Sequence, residues 1–318
     1  MPDADPRKHL TLDGRVDYLI EKGYAIDGAV SDGVRRLLAS MNFHYFLGYA
    51  RNFRALVNGG KISGDTSLDR LLTVIRLDRE FSAALFAGIA DLEWLLRSAL
   101  VEAHCDMHPP RACYLNEDHY RVLNIDGPPT HVMVRDQTLR SREPYVVEQY
   151  ETAARRSLAA SEIERLPAEV KDQVLATLPI WAVVDSWTLG LLGRIVMASK
   201  SCAGREEEFL WKNVASSFEV SNTMFPTQLQ GLVVLRNQVA HHVRLWMRPT
   251  SASPKLPKDY SKIARESQSK SMYVGVLALA SFLRLNGKDK AFIARVDSIV
   301  DADPAFAHGI RRPLLIGS

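Results

Sequence analysis

One stretch of this chain concentrates the residue types that acid–base chemistry needs. It reads Leu235-Arg236-Asn237-Gln238-Val239-Ala240-His241-His242-Val243-Arg244-Leu245-Trp246. On a helix, Asn237 and His241 stand four apart and share a face. Arg236 flanks that face and is long enough to swing toward it. An imidazole can take up a proton near neutral pH, and a guanidinium can fork onto phosphate oxygens. That pairing suits reaction at a phosphodiester. The same pattern also fits a half-buried helix whose histidines are hydrogen-bonded core residues, and the run by itself leaves both readings open. His242 lies about 100° further round a helix, so His241, on the face of Asn237, is the first candidate for the acting imidazole. Arg244 and Arg248 follow at helical spacing, placed to bind phosphate or to pair with acids such as Glu93 or Asp185.

The elements that must position these residues read as helices. Asp13 to Glu21 and Ser31 to Met41 have amphipathic spacing, with Ser31 placed as a cap. Asn42 to Asn58 is aromatic-rich and fits helix or strand. Ser67 to Cys105 carries a long apolar ladder from Leu68 to Leu100. Its length predicts a break near Asp78 or two helices in line. Residues 107–145 hold Pro109-Pro110, Gly127-Pro128-Pro129 and many charges, which predicts a loop-rich surface insertion or a long loop with short helices. Helical spacing returns in Val146 to Ser157, Pro167 to Leu175, Ile180 to Ala198, Phe209 to Phe218 and Pro226 to Trp246. Residues 249–268 read as a basic loop containing prolines and serines. Ser269 to Leu285 and Lys288 to Val300 close the chain as helices. Strand signals are weak and no internal repeat is visible, so the expected architecture is all-α, a multi-helix bundle in a single domain spanning 1–318.

Composition excludes several classes. With 318 residues, of which 47% are hydrophobic, the chain can bury a sizeable core. Its formal net charge of +3 permits a nucleic-acid partner without demanding one. Three cysteines (Cys105, Cys113 and Cys202) do not make a disulfide framework. With a polar N-terminus and no apolar run of membrane-spanning length, they point to the cytoplasm. His104-Cys105-x-x-His108 with Cys113 offers the donor types of a metal site but lacks a Cys-x-x-Cys arm, so no metal is expected. No phosphate-cradling glycine loop or nucleophile elbow is present, and no cofactor is expected. Lys255 and Lys258 open a basic stretch after the motif that is either a solvated loop or a guide for a nucleic-acid backbone. Glu93 and Arg97 interrupt an apolar helix and are expected to form a polar network supporting the motif. Trp181, Trp187 and Trp246 are expected to be core anchors.

Four ordered blocks give the chain a resemblance. Arg236 to Trp246 resembles the Arg-Asn-x-x-Ala-His-His-x-Arg-Leu-Trp run of the Abi-like family of phage-resistance (abortive infection) proteins, part of the wider HEPN group of helical ribonuclease and RNA-binding domains. Asn42-Phe43-His44-Tyr45-Phe46-Leu47-Gly48-Tyr49 looks like the family's aromatic block. Leu77-Asp78-Arg79-Glu80 followed by Asp91 to Ser98 looks like its long helix, and Leu178-Pro179-Ile180-Trp181 with Asp185 and Gly190 like its Pro-x-Trp block. The chain departs from the family at Met247, where asparagine is usual, and at Asp185, where glutamate is commoner. The resemblance implies a HEPN-type helical bundle and a metal-independent endoribonuclease acting as a toxin or phage-defence effector. The 2′-hydroxyl of RNA would attack the adjacent phosphate. Arg236, Asn237, His241 and His242 would be catalytic, Glu93, Arg97 and Asp185 supporting, and Arg244, Arg248, Lys255 and Lys258 RNA-binding. One Arg-x4-His set is thin for base, acid and charge stabiliser together, which points to a homodimer that apposes two sets. The alternative is a non-catalytic RNA-binding protein held with a small RNA or an antitoxin partner.

Overall fold

The axis of the fold is Leu68–Met107, a helix of 40 residues, roughly 60 Å long at 1.5 Å per residue. Ser67 starts it by accepting the Arg70 N–H at 3.4 Å. Leu71, Ile75, Asp78, Phe81, Leu85, Ile89, Leu92, Leu96 and Leu100 recur at helical spacing and are all buried. The expected break near Asp78 does not occur. No proline interrupts the segment, Asp78 finds its partners outside the helix, and neighbours cover the helix along its length. Tertiary packing therefore stabilises a helix longer than propensity alone would keep straight.

The computed structural model describes residues 9–25, 28–123, 126–201 and 208–313, and Cys202 lies outside them. Among the described residues the chain forms an all-α bundle, and extended pairing is limited to three isolated bridges. Leu12–Glu21 and Asp32–Ser40 are capped by Thr11 and Ser31. The aromatic segment, open between helix and strand, is the helix Phe43–Asn58, capped by Asn42. Against the long helix pack Leu210–Ser217, Phe225–Ala240, Met272–Leu283 and Asp289–Val300. Met272–Leu283 is buried at every position and fills the centre. Among the described residues no helix is long and apolar enough to cross a membrane.

Two expectations need correction. Ile180 to Ala198 is not one helix: Ile180–Val183 ends in a 3-10 turn at Val184–Ser186, and Thr188 caps a new helix, Leu189–Ala198. The basic stretch 249–268 is not all loop, since Lys258–Ile263 is helical and buries Tyr260, whose hydroxyl donates to Asp289 at 2.9 Å. Residues 107–145 hold the 3-10 turns Cys113–Leu115 and Glu117–His119 and the short helix Thr130–Leu139.

At the C-terminal end of the long helix, three imidazoles meet. The His104 and His108 rings lie 5.1 Å apart and the His108 and His119 rings 4.3 Å apart. His104 Nε2, His108 Nε2 and His119 Nδ1 are buried without hydrogen-bond partners. Cys105 points to solvent, and among the described residues no group of three such side chains is arranged to hold a metal ion. Burial disfavours charge on all three rings; repulsion from His108 and His119 adds to it at His104, which is pushed down to about 4, and from His119 at His108, while His119 falls through burial against the opposing charge of Asp118.

The unfolded chain takes protons on these histidines near pH 6.5, whereas folded His104 waits until about 4. Between those values the unfolded state binds more protons, so this contribution to stability is present above 6.5 and lost as pH falls toward 4. For His104 it amounts to about 3 kcal/mol or less. Melting temperature followed from pH 4 to 7 should rise more steeply in the wild type than in His104→Gln. Parallel curves would show that the imidazole is not held neutral.

Candidate functional site

The motif helix is Phe225–Ala240, with Pro226 in its first turn, where the missing N–H costs nothing. Leu229, Leu232, Leu235 and Val239 face the core. Asn237 is exposed and Arg236 half-buried on the outer side. The helix does not run on to Trp246 as its apolar pattern suggested. His241 is its last-turn cap, its N–H donating to Asn237 O at 3.0 Å. His242 then turns left-handed, with φ +51°. Its N–H donates to Val239 O at 3.1 Å, and that of Val243 to Gln238 O at 3.0 Å. This pair of bonds is the Schellman ending, in which the left-handed position is usually glycine. Histidine is among the few other residues found there with any frequency. His242 is therefore off the helix, and Arg244 and Arg248 do not follow at helical spacing.

The turn sends the chain back to the long helix, where Asp78 receives it. The buried carboxylate accepts Leu245 N–H at 3.1 Å, Trp246 N–H at 3.0 Å and the hydroxyl of Tyr49. Burial raises the Asp78 carboxyl to about 6, while these three donors and the Arg244 charge oppose the rise. Tyr49 is driven far above its ordinary value by burial and by Asp78. The Trp246 ring stacks on Tyr49 at 6.0 Å and donates from Nε1 to Ala305 O at 2.9 Å. Gly309 makes room for it, since a Cβ there would lie 2.2 Å from Nε1. The Arg244 guanidinium sits 5.5 Å from the centre of the Tyr49 ring. It lies so close to Gly48 that a Cβ at that position would be 2.3 Å from Nη1. Tyr45 completes the clamp, its hydroxyl donating to His242 O at 3.0 Å.

Arg236 belongs to a second network. Its Nε lies 3.5 Å from Glu93, Glu93 lies 3.6 Å from Arg97, and Arg97 lies 3.7 Å from Asp185. These are ion pairs rather than tight hydrogen bonds. Glu93 and Arg97 are mostly buried but Asp185 is largely exposed, so the network is shielded only at its inner end. Arg97 also donates to Trp187 O at 3.3 Å. The structure thus brings Arg236, Glu93, Arg97 and Asp185 together. It does not give Glu93 or Asp185 to Arg244, because the turn at His242 carries Arg244 to the opposite side, over Tyr49.

The remaining candidates divide. Asn237, His241 and Arg248 are exposed, and none of their side chains makes a hydrogen bond or ion pair among the described residues. Lys255 is elsewhere: its backbone N–H meets Thr227 and its carbonyl accepts from Gln228. That is the opposite end of the motif helix, roughly 20 Å from His241 at 1.5 Å per residue, and Lys258 opens the next helix beyond it. Both lysines stand apart from the motif because the segment runs back along the helix. Trp187 and Trp246 are core anchors as expected, but Trp181 is 53% exposed.

Sequence reasoning missed the part played by Asp78, Tyr49 and Tyr45. A signal existed for Asp78: a lone carboxylate on the buried face of an apolar ladder must find donors. A cleft of about 690 Å³ opens beside the clamp, between Tyr45, Arg79, Ser82, Phe86 and His242, with Asp78 at its floor.

A family described as Abi-like protein matches residues 36–247, which contain the motif, Tyr45, Tyr49, Asp78, Glu93, Arg97 and Asp185 but not Ala305 and Gly309, against which Trp246 packs. No curated protein and no solved structure matches the chain.

Three substitutions test the clamp. Asp78→Asn puts an amide N–H against backbone donors and should lower the unfolding free energy by roughly 2–4 kcal/mol. His242→Gly should leave it within about 0.5 kcal/mol, whereas His242→Val should lose roughly 1–2 kcal/mol in the left-handed position. Urea denaturation reads all three. Equal stability of His242→Val and wild type would contradict the assigned turn.

Proposed function

The chain belongs to the Abi-like protein family, and from that premise we propose that it is a phage-defence (abortive infection) effector that cuts RNA in the cytoplasm without a metal ion. The observation that supports this most is the contrast at the end of the motif helix. Leu245 and Trp246 are tied down by Asp78, while the side chains of Asn237 and His241 are exposed beside Arg236 with no hydrogen bond or ion pair among the described residues. An exposed imidazole and amide with no such partner are free to meet an external group, whereas the core imidazoles His104 and His108 are enclosed by the fold.

The reaction follows from these groups. An imidazole takes the proton of the 2′-hydroxyl as its oxygen attacks the adjacent phosphorus. The new O2′–P bond forms as the P–O5′ bond breaks. A second imidazole delivers a proton to O5′, leaving a 2′,3′-cyclic phosphate and a 5′-hydroxyl. Arg236 stabilises the charge gathering on the phosphorane oxygens, and the Asn237 amide donates to the same group. His241 acts as base or acid; His242, placed off the helix, lines the cleft mouth. A helix C-terminus repels anions, so a phosphate bound there needs the Arg236 guanidinium, while Arg244 and Arg248, beside Tyr45 and Tyr49, would meet the RNA backbone further along. Glu93 and Arg97 fix the rotamer of Arg236 rather than touching RNA.

Base and acid together require two imidazoles, so the working unit is a two-fold homodimer that apposes two motifs. The long helix offers a face for it: Ala87, Ala90 and Trp94 are exposed at helical spacing, and Trp94, 70% exposed, adjoins Glu93.

Labelled RNA incubated with the protein in EDTA should be cleaved, and Arg236→Ala or His241→Ala should reduce the rate on the order of 100-fold or more without unfolding the chain. His242→Gly should reduce it far less. Cleavage that needs added magnesium and survives both alanine substitutions contradicts the mechanism. Tight RNA binding without cleavage would make the chain an RNA-binding module instead. Trp94→Glu should shift sedimentation toward the 35.6 kDa monomer and lower activity in parallel; a fully active monomer contradicts the composite site.

A further inference from the structure

The cleft beside the clamp is not needed to hold a phosphodiester at Arg236 and His241, yet it opens beside the motif. Its walls are the first turns of Phe43–Asn58, the middle of the long helix and the turn at His242. At about 690 Å³ it lies in the range of small-ligand pockets. Two aromatic rings stand in it with unusual exposure, Phe86 at 60% and Tyr45 at 36%. Ser82 makes no hydrogen bond and Arg79 no ion pair among the described residues. At its floor the Asp78 carboxylate can accept a further donor, since two of its three bonds converge on one oxygen. Arg79 at the rim and Arg244 and Arg248 near Tyr45 make the entrance cationic.

Flat aromatic faces, a few polar groups at depth and a cationic rim match one ligand class, a nucleobase carried on a phosphate backbone. We propose that this cleft binds a base of the RNA substrate next to the scissile phosphate. Phe86 and Tyr45 supply the stacking faces, Ser82 and Asp78 meet the base edge, and Arg79 holds the neighbouring phosphate. The inference rests on the RNA-cleaving reading and adds to it a base-binding subsite built within one protomer. Phe86 and Tyr45 are binding residues here and not catalytic ones.

The ligand probes are adenosine, guanosine, cytidine and uridine 5′-monophosphates, titrated into full-length His241→Ala protein by calorimetry, with ribose 5-phosphate as the control lacking a base. At least one nucleotide should bind well above ribose 5-phosphate. Phe86→Ala, a change at an exposed position that should not disturb folding, should weaken it on the order of 10-fold, and Phe86→Trp should restore it. Tyr45→Phe should keep most of the affinity, because the ring rather than the hydroxyl meets the base. In the cleavage assay Phe86→Ala should raise KM with kcat largely kept. Equal binding of ribose 5-phosphate and nucleotides, or nucleotide affinity unchanged in Phe86→Ala, overturns the subsite, as does binding that tracks dimer formation rather than nucleotide. If nucleotides bind through Phe86 but RNA is never cut, the subsite stands and the nuclease reading falls. If RNA is cut with KM untouched by Phe86→Ala, the reverse holds.

Discussion

The buried carboxylate of Asp78 joins two pieces of chain that lie more than 160 residues apart in sequence: the middle of the long helix and the backbone just past the motif. A buried charge is costly unless donors surround it, and here two backbone N–H groups and the Tyr49 hydroxyl do so. The dependence runs both ways. Leu245 and Trp246 have left the helix and need acceptors for their N–H groups. Because the carboxylate fixes where Leu245 and Trp246 must be, the helix has to stop at Ala240 and reverse. His242 takes the left-handed position that makes the reversal, Trp246 packs on Tyr49, and Arg244 is laid along the aromatic helix against Gly48.

The candidate chemistry lies on the near side of that reversal. Arg236, Asn237 and His241 occupy the last turn before the chain leaves, where side chains project from a rigid, well-packed helix into solvent. Rigid support on one side and open access on the other suits a group that must meet an external substrate with little reorganisation. The ion-pair chain from Arg236 through Glu93 and Arg97 links the same turn to the long helix a second time, about four turns beyond Asp78. Two attachments to one helix fix the orientation of the motif as well as its position.

Much of this was legible in the sequence, for reasons that can be traced residue by residue. Helical periodicity and caps such as Ser31 and Ser67 are local signals, and the all-α bundle follows from them. Glu93 and Arg97 announced a network because charges interrupt an apolar stripe. Two features were not legible. The end of the motif helix at Ala240 has no glycine or proline to mark it, and Val243, Leu245 and Trp246 continue an apolar pattern that looks helical. The stop is imposed by Asp78, a contact no local window contains. The long helix runs unbroken past Asp78, whose partners lie off that helix altogether. The displacement of Lys255 and Lys258 to the far end of the motif helix has the same origin, since sequence distance from His241 says nothing of the direction in which the chain returns.

The claim on which the functional account turns is that the 2′-hydroxyl of the substrate, activated by protein side chains alone, is the nucleophile. The most direct measurement uses an RNA cleaved at a mapped position and the same RNA with one 2′-deoxy nucleotide immediately 5′ to the scissile phosphate, both in EDTA, with product ends read by mass spectrometry. The account predicts a 2′,3′-cyclic phosphate and a 5′-hydroxyl from the first, and no cleavage at that bond in the second. Cleavage of the deoxy-substituted bond, or a 5′-phosphate on the product, would contradict it.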